Sequence, residues 1–276
     1  MKVIHGLLTV VFAATLICCK KEHSNAGPDP SPPSEHTPKI LLKDIIIPNL
    51  PSPYYHFEYG PDSMVTKADF ASGFNRYSVL YSNGRINEMR NDIIVNHDTL
   101  RYLYDNTGNV AAIHFISENN ELYRHVTFTY SNAHVTKVEW DHKAGNNFII
   151  DRSVSFVYHQ DGNLKELNEH RPAISGSPEI NYTIHYDQYD DKINVDDFTL
   201  IHDGIHDHFL VLPKLHLMKN NPLKEMLTGG GNNYTATYTF TYKPDKTPVS
   251  KTGDVLFTSG SMAGQRFTTG VSYTYY

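Results

Sequence analysis

Cysteine is almost missing from this chain: there are two, adjacent at positions 18 and 19, in 276 residues. Beyond Cys19 no thiol remains for a disulfide, a thiolate zinc site or a cysteine nucleophile, so packing alone must hold the fold. Runs of like charge are missing as well. A formal net charge of -6 with no basic stretch offers nothing to the phosphates of a nucleic acid, and such a partner is excluded. The nucleophile elbow G-x-S-x-G, the zinc motif H-E-x-x-H and phosphate-binding loops are also absent. The run Gly229 to Gly231 has no Lys-Ser/Thr behind it. Carboxylate pairs of the glycosidase kind are set by distance in space, and among thirty acidic residues no pair stands out.

No apolar run is long enough for a membrane-spanning helix, which needs about 20 residues. The longest runs from Val3 to Ile17, after Lys2 and before Lys20-Lys21-Glu22, and has the shape of a secretory signal. Its end, Leu16-Ile17-Cys18-Cys19, resembles the bacterial lipobox, with Cys18 where that motif commonly has Gly, Ala or Ser. The resemblance implies cleavage after residue 18 and lipidation of Cys19. An ordinary secretory signal with two cysteines at its end is the alternative. Either way the expected location is the cell envelope. With the lipid it is a membrane, most simply the outer one, and the membrane is then a partner through the anchor.

Residues 19–38 carry Pro28, Pro30, Pro32, Pro33 and Pro38 among small and charged residues, without an apolar side chain large enough to anchor a core. This composition describes an extended, disordered tether. From residue 39 to 276 no second linker interrupts the chain, and a single domain is expected. Its nineteen tyrosines and alternating runs such as Val126-Thr127-Phe128-Thr129-Tyr130 and Val154-Ser155-Phe156-Val157-Tyr158 read as strands with one buried face.

Aligned on its tyrosines, the domain shows a repeat: a strand ends in Tyr, a short polar turn follows, and the next strand opens on an apolar residue. Tyr81, Tyr104, Tyr130, Tyr158, Tyr186 and Tyr242 fit, at steps of 23, 26, 28, 28 and 56. Each unit is long enough for one hairpin. The expected fold is therefore mainly all-β: a long antiparallel meander of six or seven hairpins, curled by strand twist into an open sheet or half-barrel. Between Tyr186 and Tyr242, prolines 213 and 222 and the Gly229 to Gly231 run predict a short helical or irregular insertion near 210–230. Leu215, Leu217, Met218, Leu223, Met226 and Leu227 of that insertion are expected to cover the concave face.

The run Tyr104-Asp105-Asn106-Thr107-Gly108-Asn109-Val110 resembles the YD repeat of Rhs-type bacterial toxins and teneurins, and Tyr158 to Leu164 is a poorer copy. With the lipobox-like junction, the chain is similar to Bacteroidetes-type lipoproteins of uncharacterised function with such hairpin repeats. The resemblance implies an architecture and a compartment and carries no activity. The Asp/Asn-x-x-Gly turns and their tyrosines have a structural reason of their own, since the turn needs a left-handed position and Tyr packs across strands.

Three groups of residues carry possible chemistry. His202, His206 and His208, with Asp203 and Asp207, are ligand types for a transition metal. However, Asp203-Gly204 is a two-residue turn signal, which puts His206 and His208 on one face and His202 on the other. An exposed hairpin tip explains them equally. Asp187, Asp190, Asp191, Asp196 and Asp197 invite a calcium reading but lack the D-x-D-x-D-G order and contain Lys192. Tyr54, Tyr55, Phe57 and Tyr59 are candidate contacts for a glycan or an envelope protein, or else they close the end of the sheet. The reading that follows is a membrane-anchored binding or structural module, with no cofactor and no assembled catalytic site. Its rivals are an envelope hydrolase or metal-dependent enzyme using the His202 to His208 cluster, and an outer-membrane barrel. The barrel is disfavoured because strands such as Arg101 to Asp105 are too polar for a lipid-facing band.

Overall fold

Alternation governs many of the strands: Val154 and Phe156 are buried while Ser153, Ser155 and Val157 are not, and Met89 and Asn91 are buried on either side of exposed Arg90. This period of two builds a sheet with one dry face. The structure is a computed structural model that describes residues 40–93, 97–174, 176–201 and 215–276. The signal segment 1–18, Cys19, the tether 19–38 and His202, His206 and His208 lie outside the described residues.

The strands are β1 (Leu42–Ile46), β2 (Tyr55–Tyr59), β3 (Val65–Phe70), β4 (Asn75–Ser82), β5 (Arg85–Asn91), β6 (Thr99–Tyr104), β7 (Val110–Ile116) and β8 (Leu122–Ser131). They continue with β9 (His134–Ala144), β10 (Asn147–Tyr158), β11 (Leu164–Arg171), β12 (Ile180–Tyr189), β13 (Pro222–Gly229), β14 (Tyr234–Tyr242), β15 (Pro248–Phe257) and β16 (Arg266–Tyr275). All sixteen pair with their chain neighbours in one closed antiparallel barrel. The expected open meander of six or seven hairpins is thereby corrected to eight hairpins and a closed wall. β1 pairs with β16 through Leu42↔Tyr275 and Ile45↔Tyr273. Closure is the physical remedy for a sheet this long, because an open one exposes two edges of unpaired backbone groups. Asp44 marks the seam: its carboxylate accepts hydrogen bonds from Thr274 Oγ1 on β16 and His56 Nδ1 on β2, each 2.6 Å long. Since every strand finds its partners between residues 42 and 275, the wall needs no other segment to complete it.

The tyrosine repeat shapes one end of the barrel. The turns at 60–64, 105–109, 159–163 and 243–247 share one design, with the first residue's N–H donating to the fifth residue's carbonyl. An Asp inside each turn accepts a backbone N–H two residues on: Asp62, Asp105, Asp161 and Asp245. A bulge falls just before Tyr59, Tyr81, Tyr104, Tyr130, Tyr158 and Tyr242, which re-aims the ring. The hydroxyls of Tyr59, Tyr81, Tyr104, Tyr158 and Tyr275 then donate to the carbonyls of Leu42, Val65, Ile86, Val135 and Pro248, at 2.7 to 3.0 Å. Because Ile86 is also the pairing partner of Tyr81, and Val135 that of Tyr130, each tyrosine ties its own hairpin to the preceding one. The result is a belt around the barrel end. Tyr186, assigned to the repeat by spacing, is instead a buried core residue. Its place in the belt is taken by Tyr189, which donates to the Leu164 carbonyl.

The connection from β12 to β13, described over residues 190–201 and 215–221, is not a turn: these residues form a plug. Its ends meet where Asp190 N–H donates to the Asn221 carbonyl and Asn221 N–H to Asp190 Oδ1, both at 3.1 Å. Beyond that neck, Phe198 packs edge-on against Tyr55 and Phe57, and Ile201, Leu217 and Met218 are buried. The expected insertion thus exists, but displaced. Residues 222–229, read as part of it, form β13, with Pro222 tolerated as a first strand residue. Leu215, Leu217 and Met218 pack inside as expected, while Met226 faces outward at 40% exposure. Deeper in, Arg152 donates to the Ile201 carbonyl at 3.0 Å and to Glu169 Oε2 at 2.7 Å, with its guanidinium 4.4 Å from the Trp140 ring centroid.

Candidate functional site: a chamber between the wall and the plug

Apolar side chains fill most of the interior, but where the plug meets the seam strands a cavity of about 320 Å³ remains. Ile45 and Tyr55 reach it from the inner faces of β1 and β2, Val271 and Lys251 from β16 and β15, and Asp196 and Thr199 from the plug. Ile47, Leu50 and Tyr54 come from the β1–β2 connection and the residue before β2, and Leu50 is 44% exposed there.

Two charges stand at its polar end. Asp196 accepts the hydroxyl of Tyr273 at 2.6 Å. Lys251 Nζ lies 3.7 Å from Asp196 Oδ2, over the rings of Tyr238 at 4.6 Å and Phe240 at 5.9 Å. Gly253 makes this shelf possible, because a Cβ there would sit 2.7 Å from Tyr238 Cε1. Burial pushes the Tyr55 and Tyr273 phenols well above their ordinary range, with Asp196 adding to the effect. Both therefore stay neutral, and Tyr273 donates to Asp196. Next to Asp196, Asp197 accepts the N–H groups of Leu217 and Met218 at 2.6 and 3.1 Å. Burial raises its pKa to about 6, against the opposing pull of His216 and those two N–H groups.

The residues singled out in the sequence fall in different places. Tyr55 and Phe57 are core residues at 2% and 4% exposure, Tyr59 belongs to the tyrosine belt, and Tyr54 and Tyr55 line the chamber. Of the acidic cluster, Asp190 holds the neck of the plug, Asp191 pairs with Lys192 and Lys246, and Asp196 and Asp197 face inward. Among the described residues no group of three or more His, Cys, Asp or Glu is arranged to hold a metal. Sequence reasoning missed Lys251. Its only local signal was a lysine at an inward position of an alternating strand, and that parity becomes readable once the neighbours of Gly253 are known.

The outer wall mixes ion pairs, on β2 to β6 and on β9, with exposed apolar side chains such as Leu80, Leu103, Ile149, Val157, Met226 and Phe267. It carries the pairs Lys67–Glu58 at 3.3 Å, Arg76–Asp69 at 3.0 Å, Arg90–Glu88 at 2.9 Å, Arg101–Glu88 at 3.3 Å and Lys137–Glu139 at 2.6 Å. On β14 the outward positions are Thr235, Thr237, Thr239 and Thr241. A hollow of about 430 Å³ on this wall is lined by Ser153, Ser155, Asn168 and Thr183 among others, and Thr183 already donates to Asn168.

No protein-family model matches the chain, and no curated protein sequence does. Among solved structures, a porin-like protein from Bacteroides uniformis aligns with a TM-score of 0.59 over 86% of this chain and 95% of its own, at 15% identity. A second porin-like protein, from Bacteroides vulgatus, aligns with a TM-score of 0.57 over 86% and 99%, again at 15% identity. At such identity the likeness is one of fold.

Proposed function

We propose that the protein is an envelope lipoprotein, tethered through Cys19, whose plugged barrel stands in water and binds a ligand rather than conducting solutes. The observation that carries this reading is the inversion of the wall: the dry face points inward and the ion pairs point outward. A barrel embedded in lipid needs an apolar outer band, and each Arg or Lys at its midplane costs about 2–4 kcal/mol. Lys67, Arg76, Arg90, Arg101 and Lys137 would each carry a cost of that kind, falling to about 0–1 kcal/mol for those nearer the interfaces. The interior agrees, since large side chains and the plug occupy the space that a barrel of this strand number otherwise leaves as a channel. The barrel fold shared with the two Bacteroides proteins supports an envelope setting, and the lipobox-like junction supports the anchor.

The test uses the mature chain without its lipid, residues 20–276. It should stay monodisperse without detergent, fail to float with liposomes and give no conductance in a planar bilayer. In cells, labelled palmitate should enter the full-length protein and not its Cys19→Ala variant. Conductance together with flotation of the unlipidated chain would sink the proposal.

A further inference from the structure

Building on the binding-module reading above, we infer that the chamber takes a small amphiphile with an aliphatic body and a carboxylate head, and that Lys251 is the group that receives the head. An ammonium carries three donors and no acceptor. Here only 20% of the Lys251 side chain is exposed, its contact with Asp196 is 3.7 Å, and no hydrogen bond from Nζ is found among the described residues. Lys251 therefore lies in a largely apolar place with donors to spare, where a carboxylate oxygen at about 2.7–2.9 Å forms a strong charge-assisted bond. Asp196 is less free to recruit a cationic head, since it already accepts from Tyr273 and faces Lys251.

The rest of the lining sets the body of the ligand. Ile45, Ile47, Leu50 and Val271 supply aliphatic wall, and the rings of Tyr54 and Tyr55 flank it. A cavity of about 320 Å³ stands at the small end of ligand sites, which suits a medium-chain fatty acid and excludes a two-chain lipid. Leu50, exposed at 44% on the connection between β1 and β2, marks the side from which such a chain enters.

The probe is decanoate, titrated calorimetrically below its micelle concentration into unlipidated residues 20–276, with decanol and decyltrimethylammonium as controls. Saturable one-to-one binding of decanoate is expected, with decanol weaker by at least about tenfold. Lys251→Met should lower decanoate affinity to the decanol level while the protein keeps the parent's circular dichroism spectrum at the titration temperature, and Lys251→Arg should restore the affinity. Undiminished decanoate binding by Lys251→Met, tighter binding of the cationic probe, or no saturable binding at all would overturn the inference. Failure here is separable from failure of the tethered-barrel reading, because flotation and conductance report on that reading without any ligand.

Discussion

Glu169 offers the sharpest test of how the interior is held. Its carboxylate is fully buried and accepts from Arg152 Nη2 at 2.7 Å, Tyr182 hydroxyl at 2.6 Å and Arg171 Nε. Glu169→Ala removes the carboxylate 2.7 Å from the Arg152 guanidinium, itself only 4% exposed, and breaking a buried pair this way costs about 3–5 kcal/mol. For a domain of this size roughly 2–4 °C of melting temperature goes with each kcal/mol, so the variant should melt about 6–20 °C lower. Replacing both partners, Arg152→Leu with Glu169→Leu, removes both buried charges together and should recover most of that loss. A pH arm follows from the same site. Burial raises the Glu169 pKa, but the hydrogen bonds and charge of Arg152, with those of Tyr182 and Arg171, outweigh it and hold the group below its ordinary value. A depressed carboxyl stabilises the fold above its unfolded pKa and loses that contribution as pH falls through the folded one. The parent should therefore lose stability on acidification below about pH 4.3, and Glu169→Gln should show a shallower acid limb. Circular dichroism melts across acid and neutral pH measure all four proteins. If Glu169→Ala melts within about 2 °C of the parent, or the double variant is worse than the single, the reasoning fails.

Other outcomes follow from the same structure. Tyr104→Phe removes the bond to the Ile86 carbonyl and should cost about 1 kcal/mol in denaturant unfolding. Adding Tyr275→Phe, on a distant hairpin, should cost a similar additional amount; no measurable loss would make the belt ornamental. Leu217→Ala should cost about 2–5 kcal/mol because it opens the packed plug, whereas Met226→Asp on the outer face should change stability by no more than about 0.5 kcal/mol. Equal losses for the two would put the outward placement of Met226 on β13, or the packing of the plug, in error. Ala133, held at φ +67° after Asn132 at +50°, pays for a left-handed turn without a glycine; Ala133→Gly should stabilise by about 0.5–1 kcal/mol, and a lower midpoint would contradict that turn.

How much of this was legible depends on how local each signal is. The turn after Tyr104 could be read because Asp105, Thr107, Gly108 and Asn109 make the turn among themselves, with no help from distant chain. Spacing points to Tyr186, 28 residues after Tyr158. The structure favours Tyr189 because the chain leaves the wall for the plug directly after it, a tertiary event without a local mark. Closure was unreadable for the same reason: Leu42 and Tyr275 carry no sign that they are partners. The plug was sensed through its prolines and leucines but placed too late, because Leu223 to Leu227 reads equally well as irregular apolar chain or as strand. Lys251 could not be singled out, since what distinguishes it is its surroundings: Gly253, Tyr238 and Asp196 come together only in the closed barrel.

The seam at Asp44 also has a temporal meaning. Its bond to Thr274 joins groups 230 positions apart. A chain emerging N-terminus first can zip hairpin after hairpin, yet β1 stays a bare edge until β16 arrives. The ring is then finished in one late step. Losing β16 is therefore not a local trim, because it uncovers β1 and β15 together, and two such edges are templates for pairing with other copies. With β16 in place the wall presents no such edge, and without it the wall presents two.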